Sequence, residues 1–318
     1  MVVSQNDLPS ELNVVCLAGG VGGAKLADGL ARLLPPEQLT IVVNTGDDFE
    51  HLGLTICPDL DTVMYTLGGV ANPQTGWGRR GESWITINEV IRLGGPGWFN
   101  LGDLDLATHL VRSQLLASGL NLTATTRHLC ERFGIATSIL PMSNQAAPTT
   151  IVTETGTLPF QEWFVKERWQ PAVQRVDLPS DVVASAQVTR ALEMADLVLI
   201  APSNPFVSID PILNVYPIRE MVMDLPRAVI AVSPIVGGRA LKGPAAKMMG
   251  EMGLAVSVTA VAGYYGELID GLVIDQQDQD QRDELPGNYL VTSTVMHDDA
   301  DRRKLARETL EFALDIAA

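Results

Sequence analysis

The chain has 318 residues, 46% hydrophobic and 19% charged, with a mean hydropathy of +0.16. That apolar content excludes a disordered or fibrous chain, and no run approaches the roughly 20 apolar residues of a membrane span. The 22 basic and 38 acidic residues leave a net charge of −16, a field that repels polyanions and argues against nucleic acid as a partner. The length suits a single α/β domain over residues 1–318 carrying an inserted cap.

Met1 to Glu11 is polar and has no basic run, unlike a signal peptide. With three scattered cysteines, Cys16, Cys57 and Cys130, none at metal-ligand spacing, this points to a reducing cytoplasm. Val14 to Ala18 reads as a buried strand. Residues 18–25, AGGVGGAK, follow it and open a helix expected from about Ala24 to Leu34, stopped by Pro35-Pro36. Gly19, Gly20, Gly22 and Gly23, around Val21, would let backbone N–H groups approach a phosphate at a helix N-terminus. The pattern is not a Walker loop, because Lys25 precedes Leu26, and it is not a clean dinucleotide fingerprint, because the third small position falls on Lys25. A tight turn without a ligand is the plainer reading, but four glycines in five positions exceed what a turn requires.

Thr40 to Val43 is the next strand, and Asn44-Thr45-Gly46-Asp47-Asp48 follows it. Ligands of open parallel sheets gather at the carboxyl ends of strands. Two adjacent acids there suit a hard cation such as Mg²⁺, which takes oxygen ligands and bridges to phosphates. The plainer alternative makes Asp47 the acceptor of an Asx-type turn. Asp59 and Asp61 come after Cys57-Pro58, and Asp61 is expected to cap the next helix. From about 61 to 133 the pattern is mostly helical, with Asp105 to Leu116 the clearest amphipathic piece, and reads as a cap. Within it, Trp77 to Trp84 (WGRRGESW) could stack a flat ring and contact phosphate. Asp105 and His109 share a helix face near Arg112, which fits a metal or acid–base pair and equally an N-cap with a buried, bonded histidine.

Residues of about 150–176 alternate like hairpin strands, a β excursion in which Gln161 to Phe164 reads as a packed aromatic strand. Further strands are expected at Leu197–Ala201, Ala228–Val232, Ala255–Val261, Leu272–Ile274 and Tyr289–Val291. The alternation with helices implies a mostly parallel sheet covered by helices on both faces. The strand at 197–201 runs into Pro202-Ser203-Asn204-Pro205 and Ser208, whose donors and acceptors could read a base or hold phosphate. The strand at 228–232 runs into Gly237-Gly238-Arg239, Lys242 and Gly243, where glycines permit close approach and cations offset anionic charge. Gln276 to Glu284 reads as a solvated acidic loop, and Asp301 to Ile316 as a surface helix approached through Asp298 or Asp299.

Together these residues resemble the 2-phospho-L-lactate transferase family of coenzyme F-420 biosynthesis. The matching pieces run in order along nearly the whole chain: AGGVGGAK (18–25), VVNTGDD (42–48), ICPDLDTVMYTLGG (56–69), GWG (76–78), WFNLGDLDLATHLVRSQ (98–114), FQEWFV (160–165), APSNPFVSIDPIL (201–213), VSPIVGG (232–238), GPAAK (243–247) and VAGYYGELIDGLVID (261–275). The resemblance implies a Rossmann-like core with an added helical region. It implies a Mg²⁺-dependent transferase that moves a phospho-acyl group from a guanosine diphosphate ester of a three-carbon acid, lactyl or enolpyruvyl, to the ribityl hydroxyl of the deazaflavin Fo, releasing GMP. It places Asp48 near the metal and the ribityl chain, and the pairing of the acids adds Asp47 as a candidate second ligand. Gly19, Gly20, Val21, Gly22, Gly23, Lys25, Ser203, Asn204, Ser208, Gly238, Arg239 and Lys242 would hold the guanylated donor. Trp84, Thr86 and Asn88 would face Fo, and a homodimer is implied. Pro148-Thr149-Thr150 departs from the acidic or polar step common there in the family. The rival readings are an NAD(P)-dependent oxidoreductase with a variant glycine loop, against which Lys25 at the third glycine position counts, and a non-catalytic nucleotide-binding regulator.

Overall fold

The computed structural model describes residues 11–225 and 228–317; of the polar N-terminal stretch, all but Glu11 lies outside them. Seven strands form the central sheet: β1 (Val14–Ala18), β2 (Leu39–Val43), β3 (Ser138–Pro141), β4 (Leu197–Ile200), β5 (Val229–Val232), β6 (Gly271–Asp275) and β7 (Asn288–Thr292). Their order across the sheet is β7-β6-β5-β4-β1-β2-β3, and every neighbouring pair is parallel. The strands are apolar on both faces, as a helix-covered parallel sheet requires. Val15 and Leu17 enter one core with Trp163, while Val14, Cys16 and Ala18 enter the other with α1 (Gly20–Ala31), α2 (Pro58–Leu67) and the C-terminal helix Asp299–Ala317. The fold is therefore the expected Rossmann-like α/β architecture.

The cap contains α3 (Ile85–Arg92) and α4 (Asp103–Ala117), followed by α5 (Leu122–Arg132) beside β3. Two acids fasten α3 and α4 reciprocally. Asp103 in the first turn of α4 accepts from the N–H groups of Ile85 and Thr86, each at 3.0 Å, and Glu82 before α3 accepts from Leu104 and Asp105, each at 2.8 Å. Each carboxylate thus satisfies orphan donors of the other helix. The β excursion is a three-stranded antiparallel sheet of Gly156–Pro159, Thr150–Thr153 and Val173–Asp177.

Four local expectations are corrected. The apolar run at 255–261 is not a strand: Ser257 caps a helix over Val258–Tyr265, its side chain accepting from Ala260. Gln161 to Phe164 is not a strand but the entry to a π-helical turn, Glu162–Lys166. The polar segment Gln276–Glu284 is solvated at most positions, as expected, but it is a succession of 3-10 turns and its Asp278 is buried, accepting from the N–H of Gly237 at 2.9 Å. The first helix begins at Gly20, not Ala24. Tertiary partners described below hold its glycine turn, overriding the poor helix propensity of glycine. The C-terminal helix does follow an Asp298 cap, which accepts from Ala300 and Asp301.

Candidate active site

Parallel strands put the loops after β1, β2, β3, β4 and β5 at one end of the sheet. The chain runs outward from β1 to β2 on one side and returns to β4 on the other, a switch point that opens a crevice. The N-terminus of α1 lies there. An α-helix leaves four N–H groups without intrahelical acceptors. Here Gly19 donates to Ser203 Oγ at 3.1 Å and Gly20 donates to Asp59 Oδ1 at 2.7 Å. Val21 and Gly22 follow in the first turn, where N–H groups have no i−4 acceptor within the helix. The turn needs glycine for space. A Cβ at Gly19 would lie 2.7 Å from both Asp59 Oδ2 and Ser208 Cβ, and one at Gly22 would collide with the Pro202 carbonyl. Gly20 also adopts φ +62°.

The acidic turn after β2 is built around Asn44. Its Oδ1 accepts from Gly46 N–H at 2.7 Å, so the Asx turn belongs to Asn44 and not to Asp47. Asn44 Nδ2 donates to Asp59 Oδ2 at 2.9 Å, to Val207 O at 3.2 Å and to Asp47 Oδ1 at 3.4 Å. Asp47 is buried, and its other oxygen accepts from Gln161 Nε2 at 3.0 Å. Asp48 differs: its Oδ1 is buried and has no hydrogen-bond partner among the described residues. Burial pushes the carboxyls of both Asp47 and Asp48 well above the usual range. Asp59 and Asp48 reinforce this at Asp47, while the Cys57 thiol and the Arg112 charge oppose it at Asp48. Burial also pushes Asp59 up to about 6.

Asp61 does not cap α2; Cys57 holds that position and Asp61 lies in the first turn. Asp61 instead takes both terminal nitrogens of fully buried Arg112, one at 3.0 Å, and Arg112 also meets His109 Nδ1 at 3.1 Å. Tyr65 donates to Asp105 at 2.6 Å. Asp61, Asp105 and His109 could together ligate a cation, but the Arg112 guanidinium already neutralises Asp61. The group thus reads as an ionic lock between α2 and α4. Arg79 likewise serves the cap: it lies over the rings of Tyr65 and Phe133 at 5.8 and 5.3 Å and donates to Leu104 O.

The expected donor residues separate into two groups. Ser203 and Ser208 abut the glycine turn, and Ser203 Oγ also donates to Gly19 O at 2.6 Å. Lys242 reaches the same place from the β5 side: it donates to Thr75 O at 2.7 Å, beside Gly76, whose Cβ would lie 2.7 Å from Val21. The others are turned to different partners. Asn204 caps the turn at Phe206 at 3.0 Å, Lys25 donates to Met296 O, and Gly238 and Arg239 lie exposed on a short hairpin. Trp84, Thr86 and Asn88 are exposed at and along α3, and Trp77 is exposed as well. Asn44, Thr149 and Gln161 were not foreseen as site residues. The NTGDD and FQEWFV stretches contained two of them, but no local pattern shows that a glutamine 114 residues away meets Asp47.

An open, parallel α/β sheet with a glycine-rich helix N-terminus and buried acids at its switch point defines a Rossmann-like protein equipped for an anionic ligand. The chain belongs to the 2-phospho-L-lactate transferase CofD family, whose profile matches residues 14–314. It is 40% identical over 318 residues to the phosphoenolpyruvate transferase of Streptomyces griseus, covering 96% of this chain and 100% of that one. It is 44% identical over 285 residues to the phosphoenolpyruvate transferase of Thermobifida fusca, covering 85% of this chain and 88% of that one. The 2-phospho-L-lactate transferase of Methanosarcina barkeri is 40% identical over 268 residues, covering 84% and 86%. In fold it is similar to a crystal structure of a UPF0052 family member from Bacillus halodurans, with a TM-score of 0.63 at 15% identity over 95% of this chain and 100% of that one. The protein is a transferase by family, and among its described residues no helix is long and apolar enough to cross a membrane.

Proposed function

We propose that this protein transfers a phosphoenolpyruvyl group from an enolpyruvyl-diphosphoguanosine donor to the ribityl hydroxyl of Fo, releasing GMP, in coenzyme F-420 biosynthesis. The observation that carries the reading is Asp48, with a buried carboxylate oxygen that has no partner among the described residues, on the strand-end loop next to the one that carries the glycine turn. The enolpyruvyl donor is preferred to the lactyl one because relatives named phosphoenolpyruvate transferase reach 44% identity and those named 2-phospho-L-lactate transferase reach 40%.

Transfer between phosphorus and a hydroxyl depends on positioning and charge neutralisation more than on covalent help from the protein. In this reading Val21 and Gly22 N–H groups and the positive end of α1 bind the diphosphate. Lys242 adds charge from the opposite side, and Ser203 and Ser208 shape the floor. The acceptor hydroxyl is held by Asp48, in line with the phosphorus nearer the acid, and no separate general base is assigned. The cap supplies the exposed aromatic residues Trp77 and Trp84 to the acceptor ring. The donor set also fits Mg²⁺, because a hard cation takes carboxylate oxygens and Asp48 Oδ1 lacks any other partner. Asp48 would hold that ion, which supplies neutralisation of the diphosphate when bound. The working unit is proposed to be a cytoplasmic homodimer.

The test is to incubate the protein with Mg²⁺, Fo and the enolpyruvyl donor and to measure GMP. Stoichiometric GMP and phosphoenolpyruvyl-Fo are expected. Absence of both, with a folded protein and bound donor, would remove the reading.

A further inference from the structure

The β excursion grips the acidic turn at two points. Thr149 N–H donates to Gly46 O at 2.6 Å, and Thr149 O in turn accepts from Phe160 N–H at 3.0 Å. One residue further on, Gln161 Nε2 donates to Asp47 Oδ2 at 3.0 Å. Gln161 is 5% exposed and Asp47 is 6% exposed, so neither group exchanges this bond for water. The turn that follows Gln161 is itself anchored. Trp163 is fully buried, and its indole N–H donates to Pro171 O at 2.9 Å.

A buried carboxylate without a donor carries a full desolvation penalty. Asp47 avoids it through two amides, Asn44 on Oδ1 and Gln161 on Oδ2. Its neighbour Asp48 keeps Oδ1 unpartnered. Two adjacent acids therefore have opposite circumstances on one short turn.

We propose that Gln161 is a positioning residue: it clamps Asp47 as an anchor, and so fixes the turn that presents Asp48 to the reacting groups. Asp47 acts as a hydrogen-bond acceptor and its negative charge is dispensable when an equivalent bond replaces it. The kinetic part of this inference rests on the proposed transfer reaction, and the binding part on the proposed cation site at Asp48 alone.

The test is a hydrogen-bond swap read with Mn²⁺ alone, by calorimetry, and then by kinetics. Gln161→Leu removes the donor, and Gln161→Glu sets a second acid against Asp47. The double variant Asp47→Asn with Gln161→Glu restores one bond with donor and acceptor exchanged. Partners that orient a metal-binding group typically change affinity about 10- to 100-fold. Both single variants should weaken Mn²⁺ by about 10-fold or more and lower kcat, while donor KM stays within about two-fold. The double variant should recover Mn²⁺ affinity and kcat to within about three-fold of wild type, a coupling that a merely structural role would not produce. A double variant as impaired as Gln161→Glu at unchanged Tm would overturn the proposal, because the Asp47 charge would then be needed itself. Wild-type Mn²⁺ affinity in Gln161→Leu would overturn it too, whether or not Gln161→Glu folds. Variants that follow the Mn²⁺ pattern while the wild-type protein makes no GMP would sink the reaction and leave the clamp standing, and a wild-type protein that binds no Mn²⁺ would overturn the presentation of Asp48 to a cation.

Discussion

Asp48 is where burial and chemistry disagree most sharply. A carboxylate with an unpartnered buried oxygen is unfavourable for stability, and its retention is explained if a cation or hydroxyl supplies the missing partner. Asp48→Asn should therefore reduce transfer by roughly 100-fold or more, the scale of losing one electrostatic stabiliser. Its Tm should equal or exceed that of wild type, since a buried charge is removed. GMP release and thermal unfolding measured on the same preparation check both halves; near-normal turnover would take Asp48 out of the mechanism. A pH dependence follows from the same acids. Asp47, Asp48 and Asp59 have folded-state carboxyls held above their unfolded values, Asp59 at about 6. The folded protein then holds protons that the unfolded chain has released, and stability falls as pH rises through that window. Asp103, Asp105 and Asp298 are shifted the other way, and their contribution is complete once pH exceeds the ordinary carboxylate range. Between about pH 5 and 7 the raised acids should dominate. Without divalent cations, Tm should decline across that interval, and Mg²⁺ should flatten the slope. A Tm that rises there in chelator would contradict the burial argument.

At the scale of elements, α1 and the cap show what a local pattern reveals and what it hides. AGGVGGAK marks a phosphate-type turn, yet the helix starts at Gly20 because Ser203 and Asp59 cap its first N–H groups from 184 and 39 residues away. No local propensity contains that information. By contrast, the apolar run at 255–261 satisfies a strand pattern although it holds a local helix signal, Ser257, whose side chain caps Val258–Tyr265 at Ala260. Gly22→Ala is expected to disturb this junction through the Pro202 carbonyl, which a Cβ would strike. It should lower Tm as well as GMP affinity, while Gly20→Ala, whose Cβ would have only Asp59 Oδ1 near it at 3.7 Å, strains the backbone alone. Calorimetry with GMP and thermal melts separate the two effects. In the cap, Asp103→Ala would uncap α3 at Ile85 and Thr86. It should raise the KM for Fo several-fold and leave GMP affinity unchanged, since Asp103 makes its bonds to α3 and Ser83 and none to the glycine turn. Equal changes in both would mean that α3 and α4 do not shape the acceptor side.

Across the whole molecule, six of the seven sheet strands and their direction were legible because buried parallel strands appear as short apolar runs separated by helical periods, whereas the edge strand Ser138–Pro141, short and exposed at Ser138, was not. The strand limits at Val14–Ala18 and Leu39–Val43 differ from expectation by at most one residue. The site was legible only in part. Glycines and paired acids announce it, but the amides that hold those acids and the Arg112 lock come from distant elements. Net charge adds a constraint at this scale: at −16 the overall field opposes an anionic donor. Lys242, which bridges the β5 loop to Thr75 above the glycine turn, is the cation placed to offset it. Lys242→Gln should raise donor KM several-fold at low salt and less at high salt, as exposed charges are screened beyond about 8 Å at physiological ionic strength. Fo KM should hardly move; a salt-independent donor KM would return Lys242 to a purely structural contact.

The measurement that bears most directly on the account is mass spectrometry of the product formed from Fo, Mg²⁺ and a mixture of enolpyruvyl- and lactyl-diphosphoguanosine. Phosphoenolpyruvyl-Fo is expected as the main product with equimolar GMP, and neither in Asp48→Asn. A predominance of phospholactyl-Fo would contradict the donor assignment, and no Fo adduct from either donor would contradict the transfer itself.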